Sequence, residues 1–140
     1  CDHIDAQVVK GHILLQNQLI GEAQEVFRQA IHQSHNDPNV ILRIIVSLYD
    51  NRYLEACYQM LLKFFKMVKE YNPDYKSGNA YMALCCYDLH RSDDFMKYLR
   101  LAVDNDPQEA KGVLSCLFPE GTPISEYVPY MEQRLQNISE

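Results

Sequence analysis

At 140 residues, with 47% apolar and 23% charged residues and only five Gly and six Pro, the chain has the make-up of one folded domain rather than of a disordered or fibrous segment. A net charge of −6 with no clustered basic excess argues against a nucleic-acid partner. Five cysteines, Cys1, Cys57, Cys85, Cys86 and Cys116, form an odd set with an adjacent pair, which argues against a disulfide framework.

From 5 to 19, Val8, Gly11, Leu15 and Leu19 recur every three or four residues and predict an amphipathic helix. The segment 21–34 repeats the pattern through Ala23, Val26, Phe27, Ala30 and Ile31, so a tight connection near 18–20 closes a helical hairpin. Asp37 reads as a cap and Pro38 as a first-turn residue of the next helix. The run "VILRIIVSLY" is apolar almost all round and rich in β-branched residues. Its flanking cap and the turn at 50–52 favour a helix over a buried strand, and such a helix belongs inside a stack. Tyr53, Cys57, Met60, Leu61, Phe64, Val68 and Tyr71 then trace the stripe of its partner. After Pro73 the pairing recurs: "SGNAYMALCCYDLH", Ser92 as a cap, and "DDFMKYLRLAVDN" up to Pro107. Residues 108–117 read as one more helix and 118–123, "FPEGTP", as a strong breaker. A terminal helix over 124–138 carries Ile124, Val128, Met131, Leu135 and Ile138 on one face, with Pro129 either kinking it or preceding its start.

The stop signal is periodic. Pro38, Pro73 and Pro107 follow Asp37, Asn72 and Asp106 and stand 35 and 34 residues apart. Helix pairs of this period closed by proline resemble the tetratricopeptide repeat family. In the first unit Gly11, Ala23, Phe27 and Ala30 match its small and aromatic positions. In the second, "NRYLEA" matches its turn before Ala56, with Ile44 and Lys63 standing in place of small residues. In the third, Ala83, Tyr87, Leu99, Ala102 and Pro107 fit, and Phe95 replaces an alanine. The resemblance covers about 5–117 and implies an all-α fold, a superhelical stack of antiparallel helix hairpins of the α-solenoid kind. On this reading 1–117 holds three hairpins and a following helix, and 118–140 is a breaker loop and capping helix of the same domain. Bulky Ile44 and Phe95 at helix contacts predict irregular spacing, and the long interval from Ala56 to Pro73 predicts an overhanging second helix.

The resemblance also implies a concave surface built mainly by first helices. It would be lined by Val8, His12 and Leu15, by Ile41, Ile45, Leu48 and Tyr49, and by Ala80, Leu84, Tyr87 and Asp88. The lysines and asparagines with which family members clamp acidic chaperone tails are absent from these positions, so an apolar strip or amphipathic helix of a protein partner is expected. Apolar residues at this spacing also describe an ordinary core, and the terminal helix could occupy the surface itself.

No P-loop, zinc-protease or nucleophile-elbow motif occurs, and no cofactor is expected. His32 and His35 near Asp37 end a helix, where its dipole favours them, so no metal site is expected. Cys85 and Cys86 have no base nearby in sequence, and Asn137-Ile138-Ser139 is a short glycosylation pattern that recurs by chance. Lys63, Lys66 and Lys69 read as a solvated face. The expectation is a non-catalytic protein–protein interaction scaffold. Its alternatives are a self-associating homo-oligomeric element or an accessory part of a larger enzyme. Apolar cysteine surroundings point to a reducing, cytoplasmic setting, with a bacterial lipoprotein acylated at Cys1 as the other placement, and no segment is long enough to span a bilayer.

Overall fold

The computed structural model describes residues 2–71 and 75–139, so Cys1, Asn72 and Pro73 lie outside the described residues. All regular structure among the described residues is helical. The chain divides into two compact units, Cys1–Tyr71 and Asn72–Glu140. The first holds α1 (Asp2–Gln16), α2 (Ile20–Gln33), α3 (Pro38–Asp50) and α4 (Leu54–Tyr71). The second holds α5 (Asn79–Asp88), α6 (Ser92–Asn105), α7 (Pro107–Leu114) and α8 (Tyr127–Ser139), with 3-10 turns at Ser115–Leu117 and Ile124–Glu126. The breaker at 118–123 therefore turns the chain within the second unit, because α8 packs back on α6.

Three hairpin turns share one backbone form. Gln18, Arg52 and His90 each adopt positive φ (63°, 66° and 60°). Around each, the following residue's N–H reaches five residues back: Leu19 to the Leu14 carbonyl, Tyr53 to Leu48, Arg91 to Cys86, all at 2.9 Å. These bonds satisfy carbonyls left open at a helix end and offset the ~1 kcal/mol cost of a left-handed non-glycine residue. The turn also sets the repeat register. Five residues after it stand Ala23, Cys57 and Phe95, whose N–H groups bond to the carbonyls of Leu19, Tyr53 and Arg91. In the second hairpin this position is Cys57, 1% exposed, and not the half-buried Ala56, so the match made through "NRYLEA" is one residue early. Counting from the same turns, Gly11, Ile45 and Ala83 are equivalent, as are Ala30, Phe64 and Ala102.

Helix starts follow the acidic–proline signal where it is described. Asp37 Oδ1 accepts from Asn39 N at 2.9 Å, and Asp106 Oδ1 accepts from Glu109 N at 3.2 Å, each with a proline in the first turn. Ser92 is not a cap: Arg91 occupies that position without a side-chain bond, and Asp93 and Asp94 face the helix start instead. Pro129 falls in the first turn of α8, where its missing N–H takes nothing from the helix ladder, so the helix begins ahead of it.

In the first unit α1 packs on α2 and α3, and α3 packs on α4. "VILRIIVSLY" is helical as its brackets imply, burying Val40, Ile41, Ile44, Ile45, Ser47 and Leu48. Gly11 has a steric reason: a carbon added to it would lie 2.2 Å from the Phe27 ring, and Phe27 is 1% exposed and enclosed.

In the second unit α5 packs on α6 and α7, and buries Ala80, Met82, Ala83, Leu84, Cys85 and Cys86. Its start has no local cap, because Gly78 at φ 106° carries no side chain. Glu109 of α7 supplies the acceptor: its Oε1 takes the Gly78 N–H at 2.8 Å, with further bonds from Ser77 and the Ala80 N–H. Burial nevertheless outweighs these donors and raises the Glu109 carboxyl above its ordinary value. At the other end Phe118 stacks on Tyr127, rings 3.8 Å apart, and meets Tyr130 edge-on at 5.5 Å, which fastens the breaker loop to α8. Tyr127 is 2% exposed, and its burial raises the phenol pKa.

Gly11→Ala should lower the unfolding free energy measured in urea by ~1–3 kcal/mol through overpacking. Gly21→Ala, with nothing within 4 Å of the added carbon, should raise it by ~0.5 kcal/mol through helix propensity. For Glu109, a folded pKa above the ordinary 4.5 means that its stabilising contribution is complete below that value and is lost as pH rises through the raised folded value. The stability of the wild type relative to Glu109→Gln should therefore fall as pH rises from below the ordinary 4.5 through the raised folded value; a flat difference would show that the donors offset the burial.

Candidate functional site

A concavity in the first unit lies between α2 and α4. It is a trough of about 460 Å³, open along one side. Phe27, Ile41 and Phe64, 1%, 5% and 1% exposed, form its floor. Half-buried Ile31 on α2 and Met60 and Met67 on α4 form its walls, and Gln24, Arg28, Asn36 and Lys63 its rim. A second hollow of about 290 Å³ continues it, sharing Gln24, Phe27, Met60 and Lys63 and reaching Leu48, Glu55 and Gln59. From Glu55 to Met67 the α4 wall runs about 18 Å at a rise of about 1.5 Å per residue.

Where α2 and α6 carry Ala30 and Ala102, α4 carries Phe64. The Phe64 ring lies on the floor of the gap, and α2 and α4 each pack on α3.

The rim is cationic on both walls. Arg28 pairs with Glu25 through Nη2 (2.6 Å) and Nε (3.1 Å), which lowers the Glu25 pKa and raises that of Arg28; both are solvent-exposed, so the pair adds little to stability. Lys63, exposed on the opposite wall, has no ion pair among the described residues.

The residues expected to line a first-helix surface are distributed differently. Val8, Leu15, Ile41, Ile45, Leu48, Ala80 and Leu84 are buried within their units, and of these Ile41 and Leu48 also line the two hollows of the trough. His12, Tyr49, Tyr87 and Asp88 are half-buried. His12 joins α1 to α3: its Nδ1 lies 2.7 Å from Ser47 Oγ and 3.3 Å from Asn51 Nδ2. Asp5 and Arg43 bridge the same helices. Arg52 lies over the Tyr49 ring at 5.6 Å, and Tyr87 meets Phe95 edge-on at 5.3 Å. Only the residues on α1 and α3 share a unit; those on α5 belong to the other.

The trough residues carried a signal in the sequence. Met60, Phe64 and Met67, spaced four and three apart, form a second apolar line beside Cys57, Leu61 and Val68, more than one buried face needs. Of the lysine stripe, Lys63 lines the trough, Lys66 is exposed, and the Lys69 side chain lies outside the described residues.

No group of three or more His, Cys, Asp or Glu side chains comes together as a metal site among the described residues, His32 and His35 included. No helix among them is long and apolar enough to cross a membrane. The Cys57 thiol donates to the Ile45 carbonyl at 3.6 Å, and burial, reinforced by Cys85 and Asp94, pushes the Cys86 thiol up to about 12. Cys116 is exposed beside a hollow of about 590 Å³ on the breaker loop. Compared with known proteins, the chain matches no family model and no curated protein.

Thiol alkylation followed by peptide mapping should modify Cys116 rapidly and Cys57, Cys85 and Cys86 only after denaturation, since all three are buried and the raised pKa of Cys86 leaves it little thiolate. Rapid native modification of Cys86 would contradict its burial.

Proposed function

We propose that the chain is a non-catalytic protein–protein interaction module of the tetratricopeptide kind, and that the trough between α2 and α4 takes a segment of its partner. Support for the repeat reading comes from three turns of the same backbone form and from the acidic–proline helix starts. The observation that carries the binding reading is the trough itself, with buried aromatic rings at its floor and adaptable methionines in its walls. Methionine reshapes readily and suits surfaces that accept a helix. The half-buried walls of the trough, Ile31, Met60 and Met67, leave apolar side chains accessible from solvent, which most of the first-helix positions do not.

Capture of an interacting protein by the immobilised chain provides the test, run with variants whose helicity is confirmed by circular dichroism. Ile31→Asp and Met67→Asp should each reduce capture by about tenfold or more, corresponding to ~1.4 kcal/mol, while Tyr49→Ala leaves it unchanged. Loss with Tyr49→Ala and retention with the trough variants would assign the partner to the α1 and α3 face. Ile45→Asp is unsuitable here, because Ile45 is 0% exposed and a charge there would unfold the unit.

A further inference from the structure

We infer that the segment received by the α2–α4 trough is an acidic amphipathic helix of about three turns, a reading that rests on the trough being the partner site. The length follows from the walls: about 18 Å of α4 matches about twelve helical residues. Two joined hollows sharing Phe27 and Met60 take two successive anchors from one helix face, spaced three or four residues apart. The open side favours a helix over a small ligand, which binds by having most of its surface enclosed.

Charge fixes the flanks of that helix. The chain carries −6 overall, yet the two walls of the larger hollow present Arg28 and Lys63 across an apolar floor. Glu25 engages Nε and Nη2 of Arg28 and leaves Nη1 without a partner among the described residues, and Lys63 has no ion pair there. An apolar ridge seated on Phe27 and Phe64 therefore sets carboxylates on either side of it within reach of one cation each, a charge-assisted pairing that orients the helix. The smaller hollow ends at Glu55, which opposes a carboxylate there. Acidic residues belong on the turns over Arg28 and Lys63, not on the turn over Glu55. Two cations are too few to track a phosphate backbone.

The test is selection of a displayed library of about fourteen-residue amphipathic helices, with leucine or phenylalanine anchors and randomised flanks, on the whole 140-residue chain. Selected helices should carry Asp or Glu on both flanks of the anchors, lose about tenfold in affinity with Lys63→Glu or Arg28→Glu, and recover with a charge-reversed helix on the Lys63→Glu variant. Selected helices with neutral or basic flanks that still lose binding to Ile31→Asp would overturn the acidic assignment and leave the trough reading intact. If no selected helix distinguishes the wild type from Ile31→Asp, both readings fall. Displacement of selected helices by oleate, with oleate itself weakened by Lys63→Glu, would reassign the cations to an acyl carboxylate and overturn the helix proposal.

Discussion

The contact between the Phe27 ring and the bare α-carbon of Gly11 sets the geometry of the first unit. Without a β-carbon at Gly11, α1 and α2 approach closely enough for the ring to lie flush against backbone, and α3 can then cover α1 with the Asp5–Arg43 and His12–Ser47 bridges in register. The same ring is also the floor of both hollows of the trough. Core packing and the proposed docking surface are thus two sides of one phenyl group. How deeply a partner could sit is decided by a residue it never touches, Gly11.

The second unit is organised by long-range substitutes for local signals. A glycine starts α5 with no side chain to cap it, so a carboxylate thirty-one residues away does so. That acceptor costs something, because burial works against its charge. The breaker loop, which has no helix of its own, is held by stacking Phe118 on Tyr127. Glu109 ties α7 to the start of α5, and Arg100 pairs with Glu132 across α6 and α8, so α7 and α8 belong to the unit instead of forming a separate cap.

Helix content and hairpin pairing were legible in the sequence because both depend on periodicity and on strong local punctuation. Asp37-Pro38 and Asp106-Pro107 act through one or two neighbouring peptide groups, and the structure uses them as read. The register of the second hairpin was not legible. "NRYLEA" places an alanine at Ala56 that looks like the repeat's small residue, yet the turn at Arg52 puts Cys57 in that place. Side-chain identity misled where backbone bonding decides. The tertiary cap from Glu109 leaves no local mark at Gly78, and the trough depends on Phe64 meeting α2 across a gap that no single helix reveals. The surplus apolar line on α4 was visible, but a stripe two residues wide reads equally well as core.

Four side-chain ties among the described residues have a similar reach. Asp5–Arg43 spans 38 residues, His12–Ser47 spans 35, Gly78–Glu109 spans 31 and Arg100–Glu132 spans 32. Each closes a loop of about one repeat, so forming any of them costs nearly the same chain entropy, and none has to wait for a longer loop to close first. A chain wired in this way has low contact order. Its transition state can form around whichever hairpin collapses first, and folding then spreads to the neighbour without a search across the whole sequence.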